Sequence, residues 1–232
     1  MKQWGQWIWS SFGLRLVWRC CVVCLLLCFL PVIIFFRGLR LLFMRCQACV
    51  FFTQWLRSPA QVGAAFPSSV FLARKIAQVV RTLDCSGYIV ELGAGLGAVT
   101  AQLLKSGIPQ ERLIVIERSP LMVSQLRSQF PNLTVIEGDA TSLSEYLEDY
   151  LGHIEVVVSS LPLRSLSGIA RGKIFSELQR LLPEQGAFIQ YTYALNASRS
   201  FYPAAFESCS SSLVWRNIPP AKVECFSIRG VL

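Results

Sequence analysis

Three glycines at alternate positions, Gly93-Ala94-Gly95-Leu96-Gly97, follow the apolar run Ile89-Val90-Glu91-Leu92 and directly precede a helical pattern starting at Ala98. Glycine removes the Cβ where a backbone must turn sharply and approach a ligand closely, and the helix that follows offers its free N–H groups at the same spot. Strand, turn and helix in this order make a nucleotide-cofactor site. Glu117 closes the next apolar run, Leu113-Ile114-Val115-Ile116. It stands about 20 residues past the turn, where a carboxylate can accept both ribose hydroxyls of an adenosine. Gly93, Gly95 and Ala98 also satisfy the dinucleotide fingerprint G-x-G-x-x-G/A, so the turn alone leaves the cofactor open.

Three further features narrow it: Glu91 just ahead of the first glycine, Gly138-Asp139-Ala140 after the third apolar run, and Ser159-Ser160-Leu161-Pro162-Leu163 after the fourth. They resemble the cofactor and target motifs of class I S-adenosylmethionine (SAM) methyltransferases. That resemblance implies SAM as cofactor, with Glu91 supporting the glycine loop and the methionine end, Glu117 the ribose, and Asp139 with Ala140 the adenine edge. Ser68, Gly93, Ala94, Gly95, Gly97, Arg118, Gly138 and Ser159 complete the cofactor-binding set it implies.

The elements that must hold these residues alternate along the chain. Strands are expected at 88–92, 113–117, 133–137, 154–159 and 186–192, with helices at 97–106, 120–129, near 142–150 and at 167–182. Pro67-Ser68-Ser69 reads as a helix start before Val70. Such alternation implies an α/β fold with a parallel sheet covered on both faces. Leu213-Val214-Trp215-Arg216 and Val223 to Ile228 flank a Pro219-Pro220 loop as a closing antiparallel pair. The expected architecture is therefore the Rossmann-like class I methyltransferase fold, a mostly parallel seven-stranded sheet, preceded by an N-terminal membrane-associated helical arm.

The arm is read from charge. Of 22 basic residues, seven (Lys2, Arg15, Arg19, Arg37, Arg40, Arg45 and Arg57) lie at or before Arg57, where no acid occurs, Asp84 being the first acid in the chain. The other 15 face 14 acids, so the body is nearly neutral and a basic nucleic-acid face is not expected on it. Trp4, Trp7, Trp9 and Trp18 lie among the first basic residues, a composition suited to a membrane interface. Residues 20–36 carry no charge and would span roughly 25 Å as a helix against a hydrocarbon core of about 30 Å. Pro31 leaves a re-entrant placement open beside a transmembrane one, and 37–57 reads as an interfacial helix. The division expected is thus a membrane-anchoring arm over 1–57 and a methyltransferase domain over 58–232, at a bacterial inner membrane with the domain in the cytoplasm. Six of nine cysteines lie in the arm. Cys46-x-x-Cys49 lacks a second pair or a nearby histidine, so no metal is expected.

From about residue 50 onward the chain resembles the bacterial phospholipid N-methyltransferase family, itself related to the rRNA adenine dimethylases. The resemblance rests on Leu56 to Gly63, Pro67-Ser68-Ser69, Val90 to Gly93, Gly138-Asp139, Ser160-Leu161-Pro162-Leu163, Gln190-Tyr191-Thr192-Tyr193 and Val214 to Ala221. It implies methylation of the phosphatidylethanolamine amine, with a phospholipid substrate and a membrane as partners. An adenine dimethylase uses an Asn-Leu-Pro-Tyr type loop whose ring stacks on a flipped base. Ser160 and Leu163 stand in the corresponding places here, so a flipped adenine is a poor fit; the remaining readings are a membrane-tethered methyltransferase of another substrate, such as rRNA adenine, a small amine or a quinone precursor, and a non-enzymatic interaction protein that kept the fold.

Methyl transfer from a sulfonium needs positioning and exclusion of water more than acid–base machinery. The candidate catalytic set is accordingly Ser160 and Leu161 in the loop, to hold the amine, with Tyr191 and Tyr193 at the end of the fifth strand to face it. Aromatic ring faces attract a methylated ammonium by roughly 0.5–2 kcal/mol. His153, the one histidine, precedes the fourth strand and is expected to be a surface residue.

Overall fold

The computed structural model describes residues 69–195 and 201–229. Helix α1 (Val70–Arg81) starts on Ser69, whose hydroxyl accepts the Leu72 N–H at 3.3 Å. Its buried residues Leu72, Ala73, Ile76, Ala77 and Val80 recur at helical spacing and form one apolar face. Strands and helices then alternate: β1 (Tyr88–Leu92), α2 (Ala98–Lys105), β2 (Leu113–Glu117), α3 (Pro120–Gln129), β3 (Thr134–Glu137), α4 (Leu143–Tyr146), β4 (Ile154–Ser159), α5 (Gly168–Leu181) and β5 (Ala187–Thr192). A hairpin of β6 (Phe206–Val214) and β7 (Ala221–Ile228) follows.

The sheet has seven strands in the order β3-β2-β1-β4-β5-β7-β6. Strands β1 to β5 are parallel and β7 runs antiparallel to both β5 and β6, so the sheet is mixed. Alternate residues feed two apolar layers. Ile89, Val115, Val158 and Ile189 pack with α1, α2 and α3 on one face. Val90, Ile114, Val157 and Phe188 pack with α4 and α5 on the other. Burial on both sides explains why β1, β2 and β4 read as unbroken apolar runs. The chain builds outward from β1 to β3 and then returns to place β4 on the other side of β1. That reversal lies between β1 and β4, and ligands of open α/β sheets bind beyond the carboxyl ends of the strands at such a point.

Two expectations need correction. Among the described residues no helix is long and apolar enough to cross a membrane. The longest, α5, has 14 residues, about 21 Å at 1.5 Å per residue, and it carries Arg171, Lys173, Glu177 and Arg180. That finding gives the expected transmembrane helix, the membrane-associated arm in the fold class and the inner-membrane localisation built on them no place among the described residues. The segments on which they were placed, 20–36 and 37–57 within 1–57, lie outside the described residues, as does Cys46-x-x-Cys49. Second, the sixth strand runs from Phe206 to Val214 and leaves Trp215 and Arg216 in the turn. Its polar run Ser208 to Ser212 is an edge strand with a bulge near Cys209, a place where polar residues and irregularity block further pairing.

Candidate functional site

The glycine turn comes directly off the end of β1. Gly93, Gly95 and Gly97 all have positive φ, at 70°, 57° and 76°. The Gly93 N–H donates to the Ile116 carbonyl at 2.8 Å, tying the turn to β2. A Cβ at Gly95 would meet no atom nearer than 4.0 Å, so this glycine faces open space. A Cβ at Gly93 would lie 2.7 Å from Leu161 Cδ2, so the turn packs directly on the loop that follows β4. Ala94 is buried between the two.

Gly97 is the N-cap of α2 and has no side chain to cap it. Glu91 substitutes from the strand: its Oε2 accepts the Thr100 hydroxyl at 2.7 Å, and the carboxylate also accepts the Thr100 backbone N–H. Glu91 is completely buried and its Oε1 has no partner. Burial outweighs the Thr100 bonds and, with a smaller push from the Glu117 charge, raises its pKa from 4.5 to about 7. A sealed carboxylate with one oxygen unsatisfied beside the glycine turn is the donor set a cationic group would complete.

Glu117, 9% exposed at the end of β2, braces the turn from the other side. Its Oε2 accepts the Gly95 N–H and its Oε1 the Ser119 N–H, both at 2.9 Å. Arg118, next in sequence, reaches Asp139 Oδ2 at 3.4 Å in an exposed pair. Asp139 Oδ1 accepts both the backbone N–H and the hydroxyl of Thr141 at 2.9 Å. Burial alone would raise the Asp139 carboxyl, but the Thr141 bonds and the Arg118 guanidinium outweigh it and hold it below its usual range. Gly138 ties to β2 through its N–H on the Glu117 carbonyl, and Ala140 opens the short turn after Asp139. The predicted cofactor residues from Glu91 to Ala140 therefore converge at the carboxyl ends of β1, β2 and β3, whereas Ser68 lies outside the described residues.

The second half of the site follows β4. Ser159 is buried and its hydroxyl accepts the Leu161 N–H at 3.3 Å, while the Ser160 N–H donates to the Leu92 carbonyl at 2.8 Å. The Leu161 carbonyl is already saturated, by the Leu163 N–H at 2.9 Å and Gln190 Nε2 at 3.0 Å. Leu161 is thus a packing residue against Gly93, and the Ser160 hydroxyl, which bonds to no described residue, is left as the side-chain acceptor of the loop. A cavity of about 230 Å³ lies between this loop, Gln190 to Ala194, and Phe201 with Tyr202. Tyr191 and Tyr193 line it with ring centroids 5.9 Å apart at 79°, edge to face. Burial raises the Tyr193 hydroxyl pKa, and Asn217 beside it offsets only part of that. His153 is exposed, at the opposite end of β4.

Several contributors were not singled out from sequence. Thr100 carried a signal, a hydroxyl three residues into the helix after the glycine turn. Gln190 stood inside a quoted motif without a role. Arg164, Phe201 and Tyr202 belong to no motif. Among the described residues no group of three or more His, Cys, Asp or Glu is arranged to hold a metal ion.

Comparison with known proteins agrees with this layout. Residues 89–186 match a family described as a methyltransferase domain. The ornithine lipid N-methyltransferase of Singulisphaera acidiphila is 30% identical over 188 residues, covering 78% of this chain and 95% of that protein. Ribosomal RNA small subunit methyltransferase A of Chlorobium phaeobacteroides is 29% identical over 109 residues, covering 47% of this chain and only 36% of that one. Among solved structures, the N-methyltransferase NodS from Bradyrhizobium japonicum superposes with a TM-score of 0.55 at 13% identity, over 69% of this chain and 97% of that one. The glycopeptide N-methyltransferase MtfA complexed with SAM gives 0.53 at 14% identity, over 68% and 87%. At such identities these two likenesses speak for the fold alone. These matches carry the coarser expectation, a SAM-dependent N-methyltransferase, and not the finer phospholipid and phosphatidylethanolamine assignment.

Proposed function

The chain belongs to the class I SAM-dependent methyltransferases, and from that premise we propose that it methylates the nitrogen of an aliphatic amine carried by a small or lipid-like molecule. It is an enzyme, an N-methyltransferase, and SAM is its cofactor. The observation that carries the substrate reading is the packing of Leu161 on Gly93. The loop that would hold an amine touches the turn that would hold the cofactor, and a cavity opens from that same loop. The match to an ornithine lipid N-methyltransferase supports an aliphatic amine on an apolar body.

The residues present fit SAM. Glu91 has a buried, unpartnered Oε1 for a cationic group, Gly95 leaves room at the turn, and Glu117 and Asp139 stand at the next two strand ends. When bound, the cofactor supplies an electrophilic methyl group on a sulfonium. The protein's part is to orient a neutral amine and keep water away. In this reading the Ser160 hydroxyl accepts an amine N–H, Gln190 fixes the loop by holding the Leu161 carbonyl, and the rings of Tyr191 and Tyr193 wall the nitrogen as it gains methyl groups. Buried Leu163 leaves no ring for stacking a flipped base.

Incubating the full-length protein with methyl-labelled SAM and three acceptors, an N-acylornithine in mixed micelles, a free diamine and a small-subunit rRNA transcript, tests the reading. Label is expected on an amine nitrogen. Label confined to RNA, or none on either amine, would overturn it.

A further inference from the structure

Beside the cavity two guanidiniums converge on one ring. Arg164 lies with its Cζ 4.4 Å from the centroid of Phe201, and Arg171 lies 4.8 Å from the same centroid. Arg164 and Phe201 both line the cavity. Neither arginine makes an ion pair among the described residues, although Arg118, Arg180 and Arg229 each do. Arg171 sits in the opening of α5, whose first turn contains no acid. The helix dipole already makes that end positive and disfavours a further cation there. Two like charges and a helix N-terminus are thus gathered at one cavity edge, an arrangement that repels itself until an anion enters. Glu224, whose carboxylate meets the cavity residue Tyr202, is engaged by Lys222 Nζ at 2.6 Å and by the Tyr202 hydroxyl at 3.2 Å.

We infer that Arg164 and Arg171 bind an anionic group of the amine substrate, so that the enzyme selects zwitterionic amino compounds over simple amines. This rests on the amine reading above and adds the substrate's second recognition point. The ring of Phe201 holds the two planar forks in place by cation–π contact, so less ordering is left for binding. The matching group is a carboxylate or a phosphate set back from the nitrogen. An ornithine acylated on one amine retains an amine and a carboxylate; an acyl phosphoethanolamine retains an amine and a phosphate.

The test uses the full-length enzyme, its Arg164→Gln and Arg171→Gln variants and the double variant. Four micellar probes are compared: N-acylornithine, its methyl ester, an acyl phosphoethanolamine and N-acylglycine, which has the carboxylate but no amine. The wild type is expected to show a KM at least tenfold lower for N-acylornithine than for the ester, and the double variant to erase that difference by raising only the former. SAM affinity, read by calorimetry, should stay unchanged. The phosphoethanolamine arm decides whether phosphate serves as well as carboxylate; a preference for either over the ester supports the inference. N-acylglycine should bind the wild type and lose at least tenfold in the double variant, a readout that survives even if no amine is methylated. Equal KM for acid, phosphoethanolamine and ester in the wild type, or N-acylglycine binding indifferent to both substitutions, would overturn the inference while leaving amine methylation standing.

Discussion

Replacing Glu91 by glutamine should make the protein more stable at neutral and alkaline pH. The carboxyl is completely buried, holds Thr100 with one oxygen and leaves the other unpartnered. Burial raises its pKa from 4.5 to about 7, so between those values the folded state keeps a proton that the unfolded state has released. Stability from this group is therefore complete below about 4.5 and is lost as pH rises through about 7. The slope is about −1.4 kcal/mol per pH step of one, and the whole loss is about 3 kcal/mol. Glutamine keeps the shape and an acceptor for the Thr100 hydroxyl but cannot ionise. Urea unfolding followed by far-UV circular dichroism at pH 5, 6, 7 and 8 would give the difference between variant and wild type, in which other titrating groups cancel. That difference should grow in favour of the variant from pH 5 to pH 8, while the variant binds SAM more weakly because the unsatisfied oxygen is gone. A difference independent of pH would refute the assignment of a buried, proton-holding carboxyl, whatever happened to cofactor affinity.

Glu117→Ala removes the acceptor of the Gly95 and Ser119 N–H groups and should weaken SAM by about 1–3 kcal/mol; unchanged calorimetric affinity in a folded variant would exclude Glu117 from the ribose site. Gly97→Ala places a methyl 2.8 Å from Phe130 Cε2 and 2.9 Å from Leu126 Cδ2 at φ 76°, and should cost about 1–3 kcal/mol of folding stability; an unaltered urea midpoint would remove the steric argument. Tyr193→Leu should lower turnover more for a monomethylated or dimethylated amine than for the unmethylated one, with SAM affinity spared, because alkylation shifts binding toward ring-face contact. Equal rates on all three acceptors, at the wild-type level, would make Tyr193 a packing residue.

The strands nearest the reversal of the sheet were legible because their surroundings are uniform. Val90, Val115 and Val157 are sealed on both faces, so apolar content alone marked them. The edge was not: Ser208 to Ser212 carry no apolar alternation because most of that stretch is exposed, and β7 dictates their pairing. Trp215 looked like a strand residue by its type, yet it is 67% exposed in the hairpin turn. Glycines and carboxylates at the ends of β1, β2 and β3 could be placed from spacing, since their positions follow from where each strand stops. What Leu161 does could not. Its carbonyl is filled by Gln190, 29 residues away, and only the adjacency of β4 and β5 brings that amide within reach.

That adjacency changes what Gly93 means. From sequence its small size belonged to the cofactor alone, as room for a close backbone approach. In the fold, Ser160 donates to Leu92 at the end of β1, so the loop after β4 is hydrogen-bonded to the strand that launches the glycine turn. Leu161 then occupies the place where a Cβ of Gly93 would lie, and Gln190 fixes the Leu161 backbone from β5. A side chain at 93 would push on Leu161 and through it on the wall of the cavity, even with the cofactor pocket itself left clear. In the proposed reading the glycine is therefore required by the amine side of the site as well as by the cofactor side. A sheet that reverses its strand order between β1 and β4 makes both demands fall on one residue, because it sets the two loops next to each other at the point where a methyl group has to cross.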